Sequence, residues 1–186
     1  MKKIKSLLLI VLLFNIHNSL FAQNQTAAQK ARITDIKRMY QEVNSAQKIS
    51  CDMDTTYIYD SFNPTDPTIE KRPFPQSAEK CEFSGGYTLL KGVFTGYESY
   101  MEYQYYYFHN QLFFVFASAG GEACLTEDRY YFDTNENIIK YINKNNDCDG
   151  YSDKMITKEI ISQSEINSSK KEITETQQRI LAILNQ

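Results

Sequence analysis

Between Tyr97 and Phe116, ten of twenty residues carry an aromatic ring. Rings at that density, broken only by short polar turns, suit the pleated and half-buried surface of a β-sheet. The end of the block, YYFHNQLFFVF from Tyr106, returns in altered form as YYFDTNENIIKYI from Tyr130 to Ile142. The chain therefore repeats a strand-turn-strand unit, and an antiparallel meander is the simplest sheet that such units build.

Strands are expected from Tyr87 to Thr95, from Glu98 to Phe108 and from Gln111 to Ser118, with His109-Asn110 as a tight turn between the last two. If Phe108 faces Gln111, then Tyr103, Tyr105, Tyr107, Leu112, Phe114 and Phe116 share one face. Gln104, Tyr106, Phe108, Phe113 and Val115 share the other. Both faces are aromatic, and a slip of one residue would exchange them, so the core face stays open. Gly120-Gly121 reads as turn punctuation, followed by a second hairpin of Arg129 to Phe132 and Ile138 to Ile142 around Asp133 to Asn137.

Helices bracket these strands. From Thr26 to about Ala46, Ile33, Ile36, Tyr40 and Val43 recur at helical spacing, and Thr26 with Gln29 forms a capping-box pattern. Near the other end, Ser169 with Glu172 repeats that pattern before a stripe of Ile173, Ile180 and Leu184. The fold expected is α+β: an antiparallel meander sheet of about five strands, with an N-terminal and a C-terminal helix packed on it. All four prolines, Pro64, Pro67, Pro73 and Pro75, fall between Asp52 and Ser84. They exclude a long helix there, and the stretch 52–84 reads as a proline-rich excursion from a single domain spanning 23–186.

Residues 1–22 have the layout of a secretory signal peptide: Lys2, Lys3 and Lys5, an apolar run from Leu7 to Phe14, then a polar stretch ending at Ala22. That run is about half the ~20 residues a membrane-spanning helix needs, so no span is expected after signal removal. Losing three lysines takes the formal net charge from −3 to −6. The expected location is periplasmic or extracellular.

Four cysteines in an exported chain point to disulfides, and none of their spacings suits a zinc site. Facing Phe132 with Ile138 puts Cys124 opposite Asn146, two positions from Cys148. That favours Cys124 with Cys148 and leaves Cys51 with Cys81, closing the proline-rich stretch into a large loop.

Taken together, the opening helix with IKRMYQEVN, the pair YYFHNQLFFVF and RYYFDTNENIIKYINK, and the closing KKEITETQQRILAILNQ resemble a group of small exported bacterial proteins of uncharacterised function. The resemblance covers most of the chain after residue 22, apart from the proline-rich stretch. It implies a fold and no catalytic residues.

Chemistry-bearing motifs are sparse. His109 is the only histidine after residue 22 and sits in a turn, and there is no nucleophile elbow, zinc-binding helix motif or phosphate loop. An acidic chain without a basic cluster lacks the attraction that dominates nucleic-acid affinity, so no nucleic-acid partner is expected. Asn145, Asp147 and Asp149 with Gly150 follow the first half of a calcium loop, and Asp153 adds a further oxygen, but Ile156 stands where a bidentate Glu belongs. Asp133 to Asn137 copies the alternation without the glycine. Turn chemistry is the favoured reading of both stretches, and no metal or cofactor is expected.

The reading is a small exported binding or interaction module, not an enzyme, for an unknown protein or glycan partner. Tyr97, Tyr100, Tyr103 and Tyr105 are its binding candidates, provided that they are exposed together as one patch. The alternatives are an inhibitor of an exported enzyme acting through the 52–80 loop, and a hydrolase using two carboxylates in a tyrosine-lined cleft. Peptide mapping of the non-reduced protein should recover Cys51 joined to Cys81 and Cys124 joined to Cys148. A peptide joining either early cysteine to either late one would overturn that pairing.

Overall fold

The computed structural model describes residues 25–60, 72–121, 124–146, 155–160 and 162–186. Helix α1 (Ala27–Ser45) is followed by strands β1 (Lys48–Asp60), β2 (Arg72–Phe83), β3 (Tyr87–Gly96) and β4 (Ser99–Phe108). Then come β5 (Gln111–Gly121), β6 (Cys124–Phe132), β7 (Ile138–Asn146), β8 (Met155–Ile160) and helix α2 (Gln163–Leu184). The strands form one antiparallel sheet in chain order, an eight-stranded meander in place of the expected five. The additional strands are β1, β2 and β8.

The first two replace the expected proline-rich excursion, and the register shows how a strand tolerates Pro73 and Pro75. Cys51 and Cys81 lie directly opposite each other with Cα atoms 4.1 Å apart, the short spacing of a pair that exchanges no backbone hydrogen bonds. Odd-numbered β2 residues therefore turn their N–H positions away from β1 and toward β3. Pairing with β3 begins only at Gln76, so Pro73 and Pro75 face a side where no ladder donor is required. The Cys51–Cys81 disulfide consequently staples a hairpin instead of closing an open loop. Pro64 and Pro67 lie outside the described residues, as do residues 1–24 with the expected signal peptide. Cys148 does too, and with it the expected Cys124 pairing.

Each repeated hairpin carries a β-bulge at the same place. In the first, Phe108 faces Gln111 and Tyr107 faces Leu112 as expected, but Phe113 is then extra, so Tyr106 faces Phe114 and Tyr103 faces Ala117. In the second, Phe132 faces Ile138, Ile139 is extra, and Tyr131 faces Lys140. Thr126 is thus opposite Asn145, one residue beyond the uninterrupted register. Each bulge follows an aliphatic residue, Leu112 or Ile138, and reverses the faces of everything beyond it. Phe114 and Phe116 therefore join Tyr106, Phe113 and Tyr131 on one face, while Val115 and Ala117 join Tyr103, Tyr105 and Tyr130 on the other.

Both faces are core, and each has its own helix. Ile33, Ile36, Met39 and Val43 of α1 cover the first face, and Ile173, Ile180 and Ile183 of α2 cover the second. Thr26 caps α1 in the expected capping box. The start of α2 is earlier than the sequence pattern indicates: Ser162 is its N-cap, and Ser169, expected to begin the helix, is a buried interior residue. At 22 residues α2 is about 33 Å long, enough to cross a sheet whose strands are about 4.8 Å apart from β1 to β7. It sits low because the row beneath it is small. Ala78 pairs with Gly92, and a Cβ on Gly92 would lie 2.5 Å from Ile180 Cγ1.

At the sheet edge, Asp54 Oδ1 accepts from the Thr55 N–H at 2.7 Å, which satisfies a backbone donor of β1 locally. Among the described residues, no helix is long and apolar enough to cross a membrane.

Replacing Gly92 with valine should lift α2 from the sheet and destabilise the protein by about 1–3 kcal/mol, the usual cost of overpacking. Urea unfolding would measure it. Adding Ile180→Ala should recover part of the loss, and a second change without such recovery would rule out the Gly92–Ile180 contact as the cause.

Candidate functional site

The tyrosine patch does not form. Tyr97 and Tyr100 are 50% and 41% exposed, whereas Tyr103 is 6% and Tyr105 0% exposed. The reason is position: Tyr103 and Tyr105 lie on the second face beneath α2, while Tyr97 occupies the β3–β4 turn and Tyr100 the strand end beyond the helix. The Tyr105 hydroxyl donates to the Ile173 carbonyl at 2.8 Å, and that of Tyr103 donates to Glu172. Gln177 donates to the Tyr107 hydroxyl at 2.7 Å. These tyrosines are anchors for α2, and burial pushes the hydroxyl pKa of all three well above the ordinary value.

Beside Tyr103 in the same layer stands Asp128. One of its oxygens accepts from the Tyr141 hydroxyl at 2.9 Å and from the Asn143 side-chain amide at 2.8 Å. Burial raises its carboxyl pKa; the hydrogen bonds from Asn143 and Tyr141 work against that rise, and the charge of Glu172 adds to it. Asp128 and Glu172 are thus two carboxylates among tyrosines, each engaged by side-chain donors: those on Asp128 tie β6 to β7, and Tyr103 on Glu172 ties the sheet to α2.

The retained candidate, Tyr100, lines an open trench where β1 to β6 run on past the flank of α2. This cavity of about 460 Å³ is bounded by Ile58, Phe94, Met101, Ala119 and Tyr100, with Arg179 of α2 as its one charged wall. The guanidinium lies 4.1 Å from the centre of the Phe94 ring and donates to Gln76 Oε1 at 2.9 Å. Gln76 is fully buried and in turn donates to the Thr95 carbonyl at 2.8 Å, so the arginine is held from behind. Among the described residues no ion pair is made by Arg179.

Gly120 and Gly121, expected to mark a turn, are strand residues on the floor of this trench. A Cβ on Gly120 would meet the Tyr100 ring at 2.7 Å, and one on Gly121 would meet the Glu98 carbonyl at 2.5 Å. Close approach, not turn conformation, is what these glycines supply. Sequence reasoning missed Phe94, Met101, Gln76 and Arg179 because their spacing is that of ordinary core or surface residues; the doubled glycine was the available signal.

The remaining candidates are placed as follows. His109 and Asn110 form the expected turn, with φ of 47° and 64°, and the His109 ring packs on Phe108. Asp133 accepts from the backbone N–H of Asn135 and Asn137 at 2.8 and 2.9 Å, an ordinary turn role. Asn145 is an exposed β7 residue paired with Thr126 and Ile156, while Asp147, Asp149 and Asp153 lie outside the described residues. Cys51, Glu79 and Cys81 bring three donor atoms within 4.8 Å, but both sulfurs are consumed by their disulfide. Residues 52–60 and 72–80 of the stretch read as an inhibitory insert are paired strands of a stapled hairpin, and residues 61–71 lie outside the described residues.

No protein-family model matches the chain, and comparison with curated proteins and with solved structures gives no match.

Asp128 generates a pH prediction. Its pKa is raised in the fold, so the stability linked to its proton is fully present below the ordinary value of 3.8 and is lost as pH rises through the raised value. Asp128→Asn keeps an acceptor for Tyr141 and Asn143 and removes the buried charge. The variant should match or exceed the wild type in urea at pH 7, with its advantage shrinking as pH falls toward 4. An advantage that grows on acidification would contradict the assignment.

Proposed function

We propose that this protein is a small exported binding module whose ligand lies in the trench beside α2, with an aliphatic body on Phe94, Met101, Ile58 and Ala119 and an anionic head on Arg179. The observation that carries this reading is the arginine itself: a guanidinium fixed by a ring and a buried glutamine, at the wall of a mostly apolar cavity, with no carboxylate partner among the described residues. Ligand sites are commonly of this size, apolar with a few placed polar groups. A guanidinium retains several N–H donors after one is committed to Gln76, and it suits the fork of a carboxylate.

The aliphatic body follows from the lining. One face of the Phe94 ring is taken by the guanidinium, and the floor is glycine, alanine and methionine. Export follows from the layout of residues 1–22 and agrees with the Cys51–Cys81 disulfide, which persists in oxidising compartments.

Calorimetric titration of the protein with decanoate and with the neutral 1,2-decanediol tests the reading. Decanoate should bind more tightly than the diol, and Arg179→Gln should weaken it by about tenfold or more, since hydrogen bonds to charged groups are worth about 1.5–3 kcal/mol. Met101→Arg should obstruct the trench and abolish the heat. Equal affinity of wild type and Arg179→Gln for decanoate would sink the proposal.

A further inference from the structure

The bulge at Phe113 has a consequence on the opposite face of the sheet. By moving Phe114 and Phe116 to the first face, it sets two rings beside Tyr131 along the flank of α1. A cleft of about 420 Å³ opens there between helix and sheet, bounded by Ile36, Tyr40, Phe114, Phe116 and Tyr131. Its rim is cationic: Lys37 comes from α1 and Arg129 from β6.

We propose that this cleft is a second binding site, separate from the trench, for a ring with an apolar face that bears a carboxylate. Packed rings make its inner wall, with Tyr40 and Phe114 edge to face at 5.3 Å between centres and Phe114 and Tyr131 tilted at 5.1 Å. Such a wall offers ring faces and edges to a stacked guest, and its own rings sit at centroid distances typical of aromatic pairs. Phe116, half-buried, extends this surface outward. An aromatic enclosure by itself would equally suit an organic cation. Lys37 and Arg129 decide against that, because two positive groups on one rim repel a cation and attract an anion.

The geometry of Arg129 is fixed from two sides. Its guanidinium lies 5.9 Å from the Phe116 ring centre and bonds Glu127 at 2.9 Å. One nitrogen is thereby occupied, and the remaining donors of the fork are free to meet a carboxylate. Lys37 makes no ion pair among the described residues. Lys37 and Arg129, set against the Glu127 that Arg129 bonds, leave the cleft net positive in a chain whose net charge is −3. Ring and carboxylate together define the guest: an aromatic acid would stack its planar face, and a uronic-acid sugar the C–H face of its chair.

Ligand-observed NMR titration of the full chain with 2-naphthoate, glucuronate and the neutral 2-naphthalenemethanol tests the proposal. One of the two acids should bind at millimolar concentration or better, and which one does identifies the source as an aromatic or a sugar acid. Arg129→Gln and Lys37→Gln should each weaken that acid about fivefold or more. Phe116→Leu, which keeps the bulk and the fold but removes the ring, should weaken it several-fold, with thermal melts confirming an intact protein. Arg179→Gln should leave it unchanged, so this site and the trench stand or fall separately. The proposal is overturned if neither acid binds, if the neutral alcohol binds as tightly, or if the affinity ignores both Arg129→Gln and Lys37→Gln.

Discussion

A sheet that is apolar on both faces cannot remain in water on either, and this one requirement organises the molecule. Every second residue of β4 and β5 points to each face, and on both faces the buried ones are aromatic or aliphatic. One helix would leave half of them wet. The chain therefore places α1 and α2 on opposite sides, and both helices contribute isoleucines that meet the rings. Covering a face also requires close approach, which the absence of a side chain at Gly92 allows beneath Ile180. Tyrosine adapts this core to a helix: its ring fills space while its hydroxyl reaches a helix carbonyl or carboxylate, as Tyr105 and Tyr103 do with Ile173 and Glu172.

Two helices do not cover two faces completely. An α-helix is about 10 Å across with its side chains, whereas a ten-residue strand runs for about 33 Å. Sheet surface is thus left along the helix flanks, and it is there that both described clefts with an arginine lie. In each, the wall is ring or aliphatic carbon, and the guanidinium is steadied by another side chain, Gln76 for Arg179 and Glu127 for Arg129. Incomplete coverage of the sheet thus leaves each arginine beside an apolar wall, held by a side chain of the sheet.

The first hairpin of the sheet solves a different problem. β1 and β2 are long, and β1 is an edge, which is a liability for pairing with other chains. The disulfide ties β1 to β2, and Asp54 occupies a backbone donor of β1. The prolines lie where β2 has no partner on its far side, so they end the ladder there without breaking the hairpin.

The aromatic repeats, the alternation of β3 to β7, the capping box at Thr26 and the Cys51–Cys81 pair were legible in the residues, because each is a local pattern or a simple consequence of one. The strand nature of 48–60 and 72–83 was not, since proline speaks against a strand until it is known which of its neighbours are paired. Nor was the start of α2, where Ser169 and Glu172 look like a cap but instead face the sheet. The sequence by itself determined that an antiparallel meander with rings on both faces would form and that helices would bracket it, for periodicity and turn chemistry act between near neighbours. Only the tertiary structure decided which rings are buried and which line a cleft. A single bulged residue reverses the facing of all that follows, and whether a ring stays wet depends on where a distant helix comes to rest.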